Sequence, residues 1–245
     1  MTSTRLLCVA VDLEGFSRRS LAEQESAQDR IADLLDAAWL AGDVPADAIT
    51  RRQTGDGELT LLDVAGAESE VLAAFIGALR AGLTAANGAA GPCHRMRLRV
   101  AAHAGSAVAG PNGFAGHAVI RTCRLVDCAP LHALLAENPD ADLGLIVSDS
   151  LFEDVVSVGT GGALAAREFQ PVLVVDAAKR FSAHAWLHIG GPANGATCAV
   201  HAREPAEPAR LRIDIADGGH VGTILQVGEV HGGLSLGHVP RSPRP

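Results

Sequence analysis

Two aspartates in short, distinctive segments are the residues of this sequence best suited to chemistry. Asp12 lies in VDLEGFS, directly after an apolar run, and Asp56 lies in TGDGE between two glycines. If the two segments are neighbours in a sheet, their carboxylates converge on one point and can hold Mg²⁺ or Mn²⁺. Two such ions would activate a hydroxyl and neutralise the charge of a triphosphate, as phosphoryl chemistry requires.

The residues after Asp12 predict a turn that can bind phosphate. Backbone N–H groups of Gly15, Phe16 and Ser17 are expected to point towards such an anion. The simpler alternative is that Asp12 is a solvated residue at a strand end and that Asp56 is an ordinary turn residue. The joint occurrence of both aspartates in suitable places favours the metal interpretation.

The elements that would position these residues predict an α+β fold. The run from Arg5 to Val11 fits a central strand that ends on Asp12, and a glycine-rich hairpin places Asp56 at its tip. Other predicted strands are 49–53, 58–62, 95–104, 143–147, 168–175 and 184–189, and predicted helices are 18–40, 67–86 and 117–135, the last broken near Pro130. Together they predict a ferredoxin-like β-α-β-β-α-β sandwich, a mainly antiparallel sheet with helices on one face.

Length and composition predict one main domain and an appendage. The chain has 245 residues and is 48% hydrophobic, enough to bury one large core. Residues 1–190 are predicted to form the domain. Residues 191–245 are rich in Gly and Pro and are predicted to be a tail with a short β segment, which either pairs with a protein partner or simply frays.

Charge and cysteine content restrict the partners and the compartment. The formal net charge of -8 argues against nucleic-acid binding, which usually needs a basic surface. The apolar runs look too short to cross a bilayer, so the protein is expected to be cytoplasmic with no membrane contact. Five cysteines without a C-x-x-C pair predict reduced thiols.

Four motifs together resemble the class III adenylyl and guanylyl cyclases. They are VDLEGFS, RRQTGDGE, RLRVAAHAGSAVAG and GHAVIRTCRLVDCA, and their order and spacing also match that family. Each motif is unspecific alone, but four in the family order on suitable elements are a specific signal. The resemblance covers Arg5 to about Ile189. The chain is similar to a divergent bacterial member of this family, with a class III cyclase sandwich as its fold.

The resemblance implies roles for four residues. Asp12 and Asp56 match the two metal ligands, which would hold two Mg²⁺ or Mn²⁺ ions. Arg124 matches the catalytic arginine that stabilises the pentacovalent phosphate, and Lys179 matches a triphosphate-binding lysine. Two alternatives stay open: Arg124 could form an ion pair with Asp127 or another acid, and Lys179 could be an ordinary lysine at a strand end.

Three positions depart from the family pattern. Ile120 stands where the family has an asparagine that orients the ribose, and isoleucine cannot make that hydrogen bond. Losing one such bond typically costs a factor of about 10²–10³ in rate. Arg52 occupies the first base-reading position, where it is a nucleotide-binding candidate, and Gly113 occupies the second. The preferred base therefore cannot be read from the sequence.

Two functions follow from the resemblance. The favoured one is a weakened, cyclase-like signalling module that binds a nucleoside triphosphate with a divalent metal ion. The alternative is an active cyclase that makes a 3′,5′-cyclic nucleotide and pyrophosphate. A purely structural dimerisation domain ranks third, because it would not need the two aspartates. Family sites form between two subunits, so a homodimer or a heterodimer with another cyclase-like chain is expected.

Overall fold

A computed structural model describes residues 4–45, 47–64, 66–89, 95–110, 113–157 and 164–190. The predicted tail, residues 191–245, lies outside this described part, so its boundary and its role stay predictions. The strands are β1 Thr4–Leu13, β2 Ile49–Gln53, β3 Gly57–Leu62, β4 Leu98–Gly110, β5 Gly113–Ala115, β6 Leu143–Ser148, β7 Gln170–Asp176 and β8 Phe181–Gly190. The helices are α1 Leu21–Ala41, α2 Glu68–Ala89, α3 His117–Val126, α4 Ala129–Glu137 and a single turn, α5 Asp149–Leu151, which continues as a π-helical turn over Phe152–Val156.

The strands form one sheet in the order β2-β3-β1-β4-β6-β8-β7, with β5 paired to β4. Every neighbouring pair is antiparallel except β4 and β6, which are parallel. A parallel pair needs a crossover connection, and α3 and α4 supply it. The predicted α+β class and mainly antiparallel sheet are confirmed.

Strand β1 lies at the centre of the sheet and brings the first aspartate to its end. Leu7, Val9 and Val11 alternate towards one face and are buried in the main core. Asp12 follows Val11 and lies opposite Gly57 of β3 on one side and Arg99 of β4 on the other.

The helices cover both faces of the sheet, whereas the sequence predicted helices on one face. Helices α1 and α2 pack on the main core, where Trp39 stacks on Phe75 with ring centroids 3.7 Å apart. Helices α3 and α4 pack on the opposite face, through residues such as Leu125 and Leu131. The reason is that the second face of the sheet also carries apolar residues, such as Ala101 of β4 and Ile146 of β6, and the crossover helices bury them.

Helix α2 is, by length and composition alone, apolar enough to cross a membrane, contrary to the sequence-based expectation about apolar runs. Its packing explains this composition, because one side of α2 belongs to the main core of the domain. The core residues of α2 are Val71, Leu72, Phe75, Ile76, Leu79 and Leu83. An apolar core helix passes the same test as a membrane span.

Local signals define the helix ends near the site. The backbone N–H of Ser20 donates to the Glu23 carboxylate at 2.8 Å, which is half of a capping box at the start of α1. Pro130 lies in the first turn of α4, where its missing N–H costs no hydrogen bond. The predicted break near Pro130 is therefore confirmed as the boundary between α3 and α4.

Candidate metal and nucleotide site

The β1–β3 register brings Asp12 and Asp56 to the same end of the sheet. The backbone N–H of Leu13, which follows Asp12, donates to the carbonyl oxygen of Asp56 at 2.8 Å. The Asp56 carboxylate is close enough to raise the pKa of Asp12. The two residues that the sequence predicted to converge are therefore neighbours at one end of the β1–β3 pair, and their binding of a metal ion stays a prediction.

The two glycines around Asp56 are needed for different reasons. Gly55 has a φ of 87°, a conformation that favours glycine at the hairpin turn. Gly57 lies in the strand, where an added Cβ would be 1.9 Å from the carbonyl oxygen of Val11. The first glycine shapes the turn, and the second lets β3 approach β1 closely beside Asp12.

Arg99 is the site residue that the sequence interpretation missed. Its Nε donates to Oδ2 of Asp12 at 2.8 Å, and its Nη2 contacts the same oxygen. The side chains of Asp12 and Arg99 are 23% and 14% exposed, so the pair faces solvent only in part. The signal was the alternation in RMRLRV, which points Arg97 and Arg99 to one side of β4. Recognising it required the β1–β4 register, which the sequence does not specify.

Arg97, two residues before Arg99, forms a similar ion pair with Glu14. Its Nη1 lies 2.7 Å from Oε2 of Glu14, and its Nε donates to the carbonyl of Ala141 at 2.8 Å. Its Nη2 donates to the carbonyls of Leu135 and Asn138 at the end of α4. Arg97 thereby binds the last carbonyls of a helix, a structural role typical of a basic residue there.

His132 of α4 lies behind Arg99 and closes the cluster. The Nη1 of Arg99 lies 2.8 and 2.6 Å from the two ring nitrogens of His132, so the unprotonated nitrogen of a neutral ring can accept a hydrogen bond from it. Burial and the Arg99 charge lower the pKa of His132, which favours that neutral form. The Nε2 of His132 also lies 3.7 Å from Oδ1 of Asp127.

Burial raises the pKa of the Asp12 carboxyl above its usual range, and the Asp56 charge adds to the rise. The hydrogen bond and the charge of Arg99 oppose it, followed by His132. The ionised form of Asp12 is therefore held by Arg99 in an environment that otherwise disfavours it.

The donor types fit a hard divalent cation only in part. Two carboxylates completed by water and phosphate oxygens are a common Mg²⁺ environment. Within the described ranges no group of three or more His, Cys, Asp or Glu side chains could hold a metal ion. The guanidinium of Arg99 occupies Oδ2 of Asp12, so an ion that binds there must first displace it.

The predicted phosphate-binding turn has the expected backbone shape. Gly15 has a φ of 70° and leads into one 3₁₀ turn, Phe16–Arg18. The N–H of Arg18 donates to the carbonyl of Gly15 at 3.1 Å, whereas the first N–H groups of such a turn have no partner within it. Phe16 packs against the main core and Ser17 is exposed. Their binding to phosphate stays a prediction. An open recess of about 470 Å³ beside the turn is lined by Glu14, Gly15, Arg18, Arg19, Glu23 and Arg97.

Ile120 and Arg124 lie one turn apart on α3. Ile120 is 47% exposed. The guanidinium carbon of Arg124 lies 5.1 Å from the ring centroid of Phe181 on β8, a cation–π distance. The described contacts thus join Arg124 to an aromatic ring of its own chain.

The remaining predicted nucleotide-binding positions lie elsewhere on the sheet. Arg52 is exposed on the edge strand β2, opposite Leu59, and Gly113 begins β5 opposite Gly110. The described part of the chain brings neither of them to Asp12.

Lys179 lies in the turn between β7 and β8 and is already paired. Its Nζ is 3.1 Å from Oδ2 of Asp127 and 3.4 Å from Oδ2 of Asp176. The hydrogen bond and charge of Asp127 raise the pKa of Lys179, and Asp176 adds to the rise. Because Asp127 also lies beside His132, Lys179 is linked through Asp127 and His132 to the Arg99 cluster.

A second arginine–carboxylate pair lies on β3 and its neighbour β2. The Nη2 of Arg51 is 2.8 Å from Oε2 of Glu58, and the Arg51 Nη1 also contacts Asp36. Oε1 of Glu58 accepts from Arg51 at 2.8 Å, Thr60 at 2.7 Å and Trp39 at 3.2 Å. The Glu58 side chain is 2% exposed and the Arg51 side chain 27%, so the carboxylate is buried while its arginine reaches solvent.

Comparison with solved structures identifies the fold. The adenylate/guanylate cyclase/hydrolase from Silicibacter pomeroyi aligns with a TM-score of 0.56 and 16% identity over 78% of this chain and 99% of that one. The guanylyl cyclase Cya2 gives 0.55 and 13% over 79% and 96%. The guanylate cyclase domain of RhGC from Catenaria anguillulae, solved in complex with GTP, gives 0.50 and 13% over 78% and 100%.

At these identities the likeness defines the fold alone. The chain has the fold of adenylyl and guanylyl cyclase domains, as the four motifs predicted. No protein-family model and no curated protein sequence matches the chain. Activity must therefore be argued from the site.

Proposed function

We propose that this protein is a cyclase-like signalling module that binds a nucleoside triphosphate together with Mg²⁺ or Mn²⁺ and turns it over weakly. The observation that supports it most is the convergence of Asp12 and Asp56 at one end of the sheet. A fold maintained only for dimerisation has no need of two carboxylates placed together. When bound, the metal ions would neutralise the triphosphate and activate the attacking hydroxyl.

The chain's own residues would bind and orient the nucleotide. Asp12 and Asp56 are the expected ion ligands, and the turn at Gly15, Phe16 and Ser17 would offer N–H groups to the phosphates. No described side chain is assigned to the base.

The weak turnover is attributed to Ile120 on α3. Ile120 presents only carbon atoms at the position where the resembled family has an amide. The absent hydrogen bond should reduce the rate by a factor of about 10²–10³ without removing metal-centred binding.

The site is proposed to be completed by a second chain. Ile120 and Arg124 lie on α3, and Arg124 is stacked on Phe181 of its own chain, so a partner must present an α3 surface to Asp12. The partner is a second copy or another cyclase-like chain. In a homodimer both sites would contain isoleucine, whereas a heterodimer with an asparagine-bearing chain would restore one site.

The test measures binding and turnover separately. Purified protein is titrated with ATP, GTP, CTP and UTP in the presence of Mn²⁺ by calorimetry, and the products are read by mass spectrometry. Asp56→Asn should abolish binding. Asp63→Asn, at an exposed aspartate just beyond the other end of β3, should leave it unchanged and is the matched control. Equal binding by the parent and Asp56→Asn would refute the proposal.

The alternative, an active cyclase, is separated by the same samples. Cyclic product from the parent at a rate that Ile120→Asn does not improve would establish an active enzyme. Binding without product in the parent, with product gained in Ile120→Asn, would establish the weakened module and locate its defect on α3.

A further inference from the structure

We propose that Arg99 is a built-in counter-ion that keeps divalent metal ions off Asp12 until a polyphosphate anion draws its guanidinium away. The inference rests on the proposed function, because it concerns the order in which ion and nucleotide enter the same site. It predicts that the free protein binds the metal ion poorly and that ion and nucleotide bind together.

One oxygen of Asp12 is already occupied by Arg99. Two nitrogens of the Arg99 guanidinium contact one oxygen of Asp12, and the antiparallel register fixes them opposite each other. A divalent cation that binds this oxygen must therefore compete with both nitrogens of Arg99.

The charge of Arg99 also opposes the binding of a cation. Asp12 and Asp56 contribute two negative charges and Arg99 one positive charge, which leaves a net charge of −1 at this end of the sheet. A divalent ion must enter against a fixed cation within contact distance of its first ligand, where little solvent screens the repulsion. The free site is thus poorly matched to one divalent ion and still less to two.

Arg99 has fewer partners to lose than Arg97, so Arg99 can exchange its partner more easily. Arg97 holds Glu14 and three carbonyl oxygens of the α4 end and the following loop, so moving it would leave several acceptors unpaired. Arg99 is held by a single carboxylate oxygen and by the ring of His132. Breaking its contacts costs few hydrogen bonds.

Polyphosphate is the ligand class that suits this exchange. A guanidinium binds phosphate oxygens through two parallel hydrogen bonds, and a triphosphate carries more negative charge than one carboxylate. Asp12 then becomes available on the side from which the phosphates approach, and the same ligand brings the ion.

The experiment measures Mn²⁺ binding without nucleotide, by the loss of the free Mn²⁺ signal in electron paramagnetic resonance. Arg99→Gln should bind Mn²⁺ about tenfold or more tightly than the parent, because a full positive charge is removed from beside the ligand. The gain should disappear in the double variant Arg99→Gln with Asp12→Asn. Arg95→Gln is the matched control, because Arg95 pairs with Asp142, and it should bind as the parent does.

A second measurement uses the parent chain alone. In the ¹⁵N–¹H spectrum of the arginine side chains, the Arg99 Nε–H signal is identified by its loss in Arg99→Gln. Inorganic tripolyphosphate without metal should shift this signal and leave the Arg95 signal in place. A signal that does not respond to tripolyphosphate would overturn the inference.

Circular dichroism checks that each variant is folded. If Arg99→Gln does not fold, His132→Gln replaces it. His132→Gln removes the support behind Arg99 without touching Asp12, and it should tighten Mn²⁺ binding by a smaller factor of about two to three. Equal Mn²⁺ affinity in the parent and in the folded variants would overturn the inference.

The two proposals fail differently. If the parent binds nucleotide with Mn²⁺ while Arg99→Gln shows no gain for Mn²⁺ alone, the inference is wrong and the proposed function stands. If Arg99→Gln gains Mn²⁺ affinity and tripolyphosphate shifts Arg99, but no nucleoside triphosphate binds, the counter-ion role stands and the proposed function fails.

Discussion

Two arginine–carboxylate pairs in the same sheet differ in the burial of their carboxylates. In the pair of Arg51 and Glu58 the Glu58 side chain is only 2% exposed, and it accepts hydrogen bonds from three residues. The pair of Arg99 and Asp12 lies at a strand end, where Asp12 is 23% exposed and Arg99 is its main partner. The same two chemical groups thus form a fixed structural element in one place and an exchangeable contact in the other.

The difference teaches that the type of ion pair does not define its role. What separates the two pairs is the number of groups that would be left unpaired if the pair opened. Opening the Glu58 pair leaves a buried indole N–H and a buried hydroxyl without an acceptor, and it takes from Arg51 one of its two carboxylate partners. Opening the Asp12 pair exposes two groups that already reach solvent.

The largest effect should come from removing the buried carboxylate. Glu58→Ala is expected to lower the free energy of unfolding by about 2–4 kcal/mol, because Arg51 and Trp39 lose a buried partner. Asp12→Asn should cost about 1 kcal/mol or less, since the fold disfavours the Asp12 charge. Urea unfolding followed by circular dichroism measures both. Equal losses would contradict the distinction between the two pairs.

An intermediate effect is expected at Gly57, which lies opposite Asp12 in the register and directly before Glu58. Gly57→Ala places a methyl group 1.9 Å from the Val11 carbonyl oxygen, so β3 must move away from β1. A loss of about 1–3 kcal/mol in unfolding free energy is expected from such overpacking. The control is Gly88→Ala, at an exposed α2 position with open space, which should instead stabilise the helix by about 0.5–1 kcal/mol. If both alanines stabilised the protein, the close approach of β3 to β1 would be refuted.

The smallest effect concerns a buried polar group outside both pairs. His103 is buried on β4, its Nδ1 lies 2.7 Å from the hydroxyl of Ser148, and burial lowers its pKa to about 4. The unfolded chain takes up this proton near pH 6.5, so stability falls as the pH decreases from about 6.5 towards about 4.

Between pH 7 and pH 5 this histidine should cost about 1–2 kcal/mol of stability. His103→Gln should flatten the dependence, whereas His184→Gln, at an exposed position on β8, should not. Unfolding curves at several pH values above 5 measure the slope before most carboxylates titrate. An unchanged slope in His103→Gln would show that other groups carry the dependence.

Much of the fold could be predicted because local signals agree with it. The apolar run before Asp12, the Gly-Asp-Gly hairpin and the break at Pro130 each specify their element without long-range information. The placement of α3 and α4 could not be predicted from the sequence, because it depends on which strands become neighbours. A helical pattern shows that one side is buried but not which face of the sheet buries it.

The candidate site divides in the same way. The positions of Asp12 and Asp56 could be predicted because Asp12 lies near the end of β1, Asp56 lies in the turn before β3, and each has a recognisable neighbour sequence. Arg99 was not, because its role comes from lying opposite Asp12 across strands 87 residues apart in sequence. Lys179 was predicted to face a triphosphate, yet it pairs with Asp127 across another long-range contact, and its role in binding stays a prediction.

The central position of β1 also sets the time at which the site can form. During synthesis β1 is made before its neighbour β4, which begins about 85 residues after the end of β1; at about 5–20 residues per second these residues take roughly 4–17 s. Until then Asp12 has no Arg99 and β1 has one open edge. The nascent chain therefore passes through a stage with an unpaired apolar strand, and the long loop to be closed makes the β1–β4 pairing a slow event in folding.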